Sequence, residues 1–178
     1  MSADQGILCV GALHYDRLAK CLQPFRAHVS NPVRSIRRAG GVAHNIAGNL
    51  RNLGAECGLL SMLGEDPQGH ALVAEVEAAG IDCGLVRQMP GQATADYVAL
   101  LDVDGELAAG FGEMDIYEGL TVPHLEAMLP AMRQWPVWVL DANLPVESLA
   151  FLVAAKGAAR VCAAPVSVVK ALRWRELL

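Results

Sequence analysis

The segment from Gly40 to Gly64, GGVAHNIAGNLRNLGAECGLLSMLG, has the residue types and spacing best suited to binding a ligand. A double glycine, Gly40-Gly41, leads into a predicted helix that carries Asn45 on its first turn. The start of a helix has free backbone N–H groups and a partial positive charge, and both favour oxygen-rich ligands. The Asn45 amide can donate to a hydroxyl group and accept from one. The segment is therefore suited to binding a small polyhydroxylated molecule.

Other carboxylates and amides lie where the same molecule could reach them. Asp16 comes shortly after the first predicted strand, and Asp141 and Asn143 follow a later one with two-residue spacing. Ligands of open parallel sheets bind beyond the carboxyl ends of the strands, so we expect these side chains to form a cup with Asn45 and the glycine pair. Helix capping is an equally common role for Asp141 and Asn143, and a glycine pair before a helix can simply turn a corner.

Several other kinds of site are not indicated. The five histidines and five cysteines show no metal-ligand spacing and no CxxC pair, so no metal site is predicted and each histidine is expected to be structural. The run Asp102-Val103-Asp104-Gly105 lacks the ligand spacing of a calcium loop and is typical of a hairpin turn. P-loop and dinucleotide-binding glycine motifs are absent from the sequence.

Composition indicates a globular α/β protein of one domain. The chain has 178 residues, of which 53% are hydrophobic, and a net charge of −5, which argues against nucleic-acid or anionic-membrane partners. Arg34, Arg37 and Arg38 are expected to form a solvated strand edge rather than a phosphate site. No apolar run reaches the roughly 20 residues that span a bilayer, and the polar N-terminus does not resemble a secretory signal. We expect a cytoplasmic protein with reduced cysteines.

The hydrophobic pattern alternates between strands and helices. It predicts strands at 7–10, 57–63, 136–140 and 161–163, and helices after Gly41, at 67–79, at 121–134, at 146–156 and at 173–178. Two β-rich segments, at 18–38 and 85–111, interrupt this alternation. The order of elements predicts a doubly wound, mostly parallel sheet.

The glycine-rich segment also resembles a known family. Gly40 to Ala47, followed by Gly54 and Gly64, is similar to the N-terminal signature of the ribokinase-like (PfkB) carbohydrate kinases. Within that family, later segments are most similar to pseudouridine kinases: 94–97 (TADY), 113–118 (EMDIYE), 120–121 (LT), 141–145 (DANLP) and 165–171 (PVSVVKA). The resemblance implies one incomplete ribokinase-like domain over residues 1–178, with a small β lid formed by 18–38 and 85–111.

The resemblance also implies roles for individual residues. Asp16, Gly40, Gly41 and Asn45 would hold ribose hydroxyl groups, Thr94 would approach the substrate from the lid, and Asn143 would approach from the strand end. The implied reaction is transfer of phosphate from ATP, with Mg²⁺, to the ribose 5-hydroxyl of a nucleoside or sugar. Ala164 and Glu113 stand where the family usually carries aspartate.

The resemblance ends before the family's catalytic segment. The Gly-Ala-Gly-Asp stretch, which holds the anion hole and the catalytic aspartate, has no counterpart, and the sequence contains no Gly-Asp dipeptide. We therefore expect a C-terminally truncated kinase that has no catalytic residue of its own, lacks most of the ATP and Mg²⁺ sites, and is inactive alone. A homodimer through the lid is expected. The alternative is a non-catalytic homologue that acts as a sugar-binding or lid-dimerisation module.

Overall fold

The computed structural model describes residues 6–175 and 177. The strands are β1 (Gly6–Val10), β2 (His14–Cys21), β3 (Val33–Gly40), β4 (Glu56–Gly64), β5 (Asp82–Met89), β6 (Asp96–Leu101), β7 (Leu107–Glu113), β8 (Val137–Asp141) and β9 (Arg160–Ala164). The helices are α1 (Val42–Asn52), α2 (Pro67–Ala78), α3 (Val122–Met132), α4 (Val146–Ala155) and the short α5 (Val168–Ala171). Single 3₁₀ turns cover Asp115–Gly119 and Leu172–Trp174.

The main sheet is parallel, with the spatial order β5-β4-β1-β8-β9. Successive side chains of a strand point to opposite faces of its sheet, and both faces of this sheet are apolar. On β1, Leu8 and Val10 belong to one buried cluster, whereas Cys9 belongs to the other. This explains why the central strands read as continuous apolar runs. It confirms the predicted doubly wound α/β sheet.

Helices cover each face of the main sheet. Helices α1 and α2 pack on one face through buried residues that include Ala47 and Leu72. Helices α3 and α4 pack on the other, through residues that include Leu125 and Leu149. On α1, Asn45 and the other asparagines lie on the side away from the sheet, as the helical spacing predicted.

A second, smaller sheet, here called the lid, has the order β3-β2-β6-β7 among the described residues. Strands β2 and β6 are parallel, and the outer pairs are antiparallel. The Asp102–Gly105 turn joins β6 to β7. It is closed by a hydrogen bond from the Gly105 N–H to the Asp102 carbonyl oxygen at 3.0 Å. The lid bounds differ from the predicted 18–38 and 85–111, since β2 begins at His14 and residues 85–89 belong to β5 of the main sheet.

The last part of the chain also differs from its prediction. The helix lies earlier than expected: the short α5 is followed by the 3₁₀ turn Leu172–Trp174, which covers the first residues of the predicted helix at 173–178. Residues 176 and 178 lie outside the described residues. Within the described chain, the cysteine thiols are unpaired, and Cys162 is the exposed one. The described helices include none that is both long and apolar enough to cross a membrane.

Candidate functional site

A cavity of about 410 Å³ lies at the carboxyl edge of the main sheet, between that edge and the lid. This is the position where open parallel sheets bind ligands. The cavity is called the site cavity below. It is lined by His14, Asp16, Gly41, Val42, Asn45, Tyr97, Met114, Asn143, Val166, Ser167 and Lys170.

Asp16 reaches the site cavity from the lid rather than from the loop after β1. It is the third residue of β2, and its register partner on β6 is Tyr97, which also lines the cavity. Gly40, the last residue of β3, makes this position accessible to the carboxylate, because a Cβ on Gly40 would lie 2.2 Å from Asp16 Oδ2. Gly40 therefore serves the site by leaving space for Asp16.

Gly41 and Asn45 lie together at the start of α1. Gly41 has a φ of 96°, which favours glycine, and a Cβ there would lie 2.3 Å from the Ala12 carbonyl oxygen. The Asn45 side chain is exposed in the cavity, and its Oδ1 lies 3.2 Å from His44 Nδ1. Two N–H groups at the start of α1 are used within the protein and are not free for a ligand. Ala43 N–H donates to the Asp141 carboxylate, and His44 N–H donates to the Ala12 carbonyl oxygen.

Asp141 has a different role from either one predicted for it. Its side chain is fully buried, so it does not line the cavity, and Pro145 rather than Asp141 is the N-cap of α4. The carboxylate accepts the backbone N–H groups of Ala12 (2.8 Å), Ala43 (3.1 Å) and Asn143 (2.8 Å). Burial raises the pKa of Asp141, and these three hydrogen bonds oppose that rise. Asp141 therefore joins the loop after β1 to the start of α1.

Asn143 lies in the site cavity beside two cationic side chains from the segment after β9. Lys170 Nζ donates to Asn143 Oδ1, and Arg173 Nη1 donates to the Leu144 carbonyl oxygen at 2.6 Å. The pKa of Lys170 is lowered by burial first and by Arg173 second. The cavity therefore has a carboxylate at the lid, from Asp16, and an ammonium group at the end of β9.

Thr94 is not among the residues that line the site cavity. It is almost completely buried in the connection from β5 to β6, where its hydroxyl donates to Asp66 Oδ1 at 2.8 Å and accepts the Gly64 N–H at 3.0 Å. Its backbone N–H donates to Asp66 Oδ2 at 2.8 Å. The hydroxyl is thus fully used in joining the lid connection to the start of α2.

Apart from Val42 at the start of α1, the cavity residues that the sequence analysis did not select come from two places. His14, Tyr97 and Met114 reach the cavity from the lid strands or their ends, and Val166, Ser167 and Lys170 reach it from the segment after β9. Lys170 lies in α5, on the segment that follows β9, so the rule that ligands bind beyond strand ends points to this segment as well. The lid residues carried no such signal, because their placement depends on how the two sheets pack.

His14 connects Asp16 to the buried core. Its Nε2 lies 3.2 Å from Asp16 Oδ1, and its Nδ1 lies 3.0 Å from Tyr117 Oη. Tyr117 Oη in turn donates to the Leu13 carbonyl oxygen at 2.7 Å and accepts the Leu13 N–H at 3.1 Å. Burial lowers the pKa of His14, and the neighbouring Asp16 opposes this effect. His14 therefore fixes the orientation of the Asp16 carboxylate.

The groups that line the site cavity suit a hydroxylated ligand, because they include a carboxylate and two amides. In the part of the chain that the structure describes, no three His, Cys, Asp or Glu side chains are grouped to hold a metal ion. Two cationic side chains near the cavity donate to protein oxygens: Lys170 uses one of its three donors on Asn143, and Arg173 donates to backbone carbonyls. The arrangement therefore offers a carboxylate and amides that can bind hydroxyl groups.

Comparison with known proteins agrees with this fold. The chain is 29% identical over 172 residues to the pseudouridine kinase of Escherichia coli, covering 97% of this chain and 55% of that protein. A carbohydrate kinase structure from Agrobacterium tumefaciens matches with a TM-score of 0.84 and 28% identity, over 96% of this chain and 56% of that one. An Arabidopsis thaliana ribokinase structure, complexed with ribose and ATP, matches in fold, with a TM-score of 0.76, 20% identity, and coverage of 91% and 53%.

The chain thus spans about half the length of these relatives. The model of the pfkB family carbohydrate kinases matches residues 4–167, which is most of the chain. The sequence signature at Gly40 to Gly64, the parallel sheet with its lid, and this match agree with one another. The chain belongs to the pfkB family of carbohydrate kinases.

Proposed function

We propose that this chain is the substrate-binding part of an ATP-dependent kinase that phosphorylates the ribose 5-hydroxyl of a nucleoside or sugar. The observation that carries the proposal is the convergence of Asp16, Gly41, Asn45 and Asn143 on one cavity. These residues come from four different elements or connections, and their carboxylate, amides and exposed backbone are the groups that hydroxyls bind. Unpaired cysteine thiols suggest that the protein works in the cytoplasm.

Within this class, we propose pseudouridine as the substrate. Similarity to the Escherichia coli pseudouridine kinase supports this choice. So does the chemistry of the cavity, in which Lys170 is a hydrogen-bond donor suited to the carbonyl groups of a base and Tyr97 offers an aromatic surface. A free pentose would use only the end of the cavity near Asp16 and Asn45.

We propose that phosphoryl transfer itself requires groups beyond this chain. That reaction needs a site for the phosphates and their metal ion, together with a base that orients the attacking hydroxyl. In the described part of the chain, no three His, Cys, Asp or Glu side chains lie close enough together to hold a metal ion. ATP and Mg²⁺ are accordingly proposed as cofactors of a longer protein, of the length of the relatives.

Calorimetry on the purified 178-residue protein tests the binding role directly. Pseudouridine, uridine and ribose would be titrated separately into the wild-type protein and into Asp16→Ala, which removes one of the proposed binding groups. Binding of pseudouridine that is abolished by Asp16→Ala supports the proposal, whereas no affinity for any of the three refutes it. The same protein, incubated with ATP, Mg²⁺ and pseudouridine, should form no phosphorylated product. Product formation would show that the chain already contains a complete catalytic site.

A non-catalytic lid-dimerisation module is the second candidate function. The outer lid strands β3 and β7 carry exposed apolar side chains, with Ile36 62% and Phe111 64% exposed. Unpaired strand edges readily join another chain, and the occupant we propose is a second copy of the lid. Sedimentation should detect a dimer that Ile36→Lys and Phe111→Lys disrupt. Reading the gene past codon 178 separates the two functions, because an in-frame Gly-Ala-Gly-Asp sequence favours the kinase.

A further inference from the structure

Val166 lies in the wall of the site cavity with a backbone conformation that is rare for its residue type. Of the residues that the structure describes, His28 and Val166 are the non-glycine residues with positive φ, each at 65°. A β-branched residue in this region is a genuine outlier. The Ser167 N–H donates to the Pro165 carbonyl oxygen at 2.7 Å, which closes a three-residue turn centred on Val166. This arrangement has the features of the strained form of the γ-turn.

Contacts on both sides of Val166 hold this turn. Before it, the Ala164 carbonyl oxygen accepts the Ala142 N–H at 3.0 Å, which ties the end of β9 to β8. After it, Ser167 Oγ accepts the Lys170 N–H at 3.2 Å and caps α5, and Lys170 Nζ reaches Asn143. Strained conformations persist where the surrounding structure over-determines them, and they concentrate at functional sites. The strain here lies in a connection that lines the cavity, with Val166 itself half-buried.

Val166 lies on the β9 side of the cavity, whereas Gly41 and Asn45 lie on the β1 side. Helix α1, which carries Asn45, packs over β1 and β4, whereas Val166 follows β9 at the edge of the sheet. Strands β1 and β9 are two positions apart, which corresponds to about 10 Å. Met114 and Tyr97 line the space from the lid side. The β9 side of the cavity therefore carries the Val166 side chain and the Lys170 ammonium group, with Asn143 beside Lys170.

We infer that Val166 is a specificity-determining residue, held by a strained turn so that its isopropyl group contacts the ring attached to the sugar and not the sugar itself. This inference rests on the proposed function, since it assumes that the hydroxyl-binding end of the cavity holds a ribose. Contact with one face of a ring would favour a nucleoside over a free pentose. The Lys170 ammonium group beside it would serve ring carbonyl groups.

The test compares Val166→Ala and Val166→Gly with the wild-type chain by calorimetry, using pseudouridine and ribose. Both variants remove the isopropyl group, so pseudouridine affinity should fall by about fivefold or more, the effect of losing part of an apolar contact. Ribose affinity should stay within about twofold of the wild-type value by the same reasoning. His28→Gly is the matched control, because His28 has the same φ but lies in an exposed turn outside the cavity, and it should alter neither affinity.

Thermal unfolding of the same variants tests the turn itself. At a positive φ, glycine is the favoured residue, so Val166→Gly should unfold at a higher temperature than Val166→Ala. At a residue with negative φ, the alanine variant would be expected to unfold at the higher temperature. That result would contradict a strained backbone at Val166. If the wild-type chain binds pseudouridine and neither variant loses affinity, the role of Val166 is overturned while the proposed function stands. If the wild-type chain binds neither ligand, the proposed function and this role fail together.

Discussion

The carboxylate of Asp141 accepts the backbone N–H of Ala12 at 2.8 Å, although the two residues are 129 positions apart in the sequence. The contact is possible because β1 and β8 are neighbours in the main sheet and end at the same edge. A Cβ on Gly11 would lie 2.2 Å from the Asp141 carboxyl carbon, so glycine is needed there for the approach. This buried carboxylate therefore joins the backbone around Ala12, Ala43 and Asn143, next to the residues that we propose bind hydroxyl groups.

Asp141→Ala is predicted to destabilise the protein strongly. The substitution leaves the N–H groups of Ala12, Ala43 and Asn143 without their acceptor, and stranded buried donors cost about 1–3 kcal/mol each. We expect the free energy of unfolding to fall by about 3 kcal/mol or more by the same argument, as measured by urea denaturation. Asp104→Ala, which removes an exposed turn carboxylate, is the control and should cost much less. Equal losses would contradict the structural role of Asp141.

Asp16→Asn is predicted to weaken ligand binding with little effect on folding. Asp16 is partly exposed to the cavity. Its carboxylate accepts hydrogen bonds from hydroxyl groups, and these are stronger than the hydrogen bonds that an amide oxygen accepts. Calorimetry should show pseudouridine affinity reduced about tenfold, the typical value of one charge-assisted hydrogen bond, while thermal unfolding changes little. An affinity equal to that of the wild type would remove Asp16 from the site.

Thr94→Val is predicted to show the reverse pattern. Valine retains the shape but loses the hydroxyl that joins Asp66 and Gly64, so stability should fall by about 1–3 kcal/mol. Ligand affinity in the folded protein should be unchanged, because Thr94 does not line the cavity. Unfolding and calorimetry on the same preparation separate the two effects. A loss of affinity without a loss of stability would support the substrate contact that the family resemblance implies.

Lys170→Met is predicted to reduce pseudouridine affinity more than ribose affinity. Methionine keeps an unbranched side chain but cannot donate to a carbonyl group of the ligand. Burial and Arg173 lower the pKa of Lys170, so its charge is lost at a lower pH than that of an ordinary lysine. Wild-type affinity for pseudouridine should therefore decline as the pH rises through that lowered pKa. In the Lys170→Met variant, calorimetry across the alkaline range should show no such decline in pseudouridine affinity. If the affinities of the wild type and the variant declined in parallel with pH, the role of Lys170 would be contradicted.

His14→Gln is predicted to change how stability depends on pH. Burial lowers the pKa of His14 in the folded state, so below about pH 6.5 the unfolded chain takes up the proton more readily than the folded one. The free energy of unfolding should therefore fall as the pH drops from about 6.5 towards the folded-state pKa. The variant should lose less stability over the same interval. Identical slopes in urea titrations would contradict this.

The groups facing His14 define the expected result more closely. Asp16 contacts its Nε2, Tyr117 contacts its Nδ1, and the charges of Asp141 and Asp96 act on it from β8 and β6. His44 also has a pKa lowered by burial, but it is present in both proteins and cancels in the comparison. The difference between wild type and variant therefore reports on His14.

The main elements followed from the sequence because their signals are local. Buried strands such as β1 and β4 are continuous apolar runs, and α1 shows helical spacing of its apolar residues after Gly41. Ends were less accurate: the helix expected at 121–134 covers Val122–Met132, and β5 extends to residues assigned to the lid. Helix ends depend on caps and packing that periodicity does not report.

The roles of single residues were less predictable. Asp141 and Asn143 are both polar residues after the same strand, yet one is buried on backbone N–H groups and the other lines the cavity. Two-residue spacing did not keep them on one side, because β8 ends at Asp141 and the chain turns there. Thr94 has its hydroxyl used by Asp66, a contact between segments 28 residues apart.

The sequence alone determined that this is a parallel α/β protein of the pfkB type, with a glycine pair before α1 and an asparagine one turn later, because periodicity and short motifs are properties of neighbouring residues. Only the tertiary structure decided which polar groups meet. The carboxyl ends of β1, β8 and β9 are brought together by strand order, and the lid strands then bring Asp16, His14 and Tyr97 against them. Those contacts join residues distant in the chain, so their geometry depends on the packing of the two sheets.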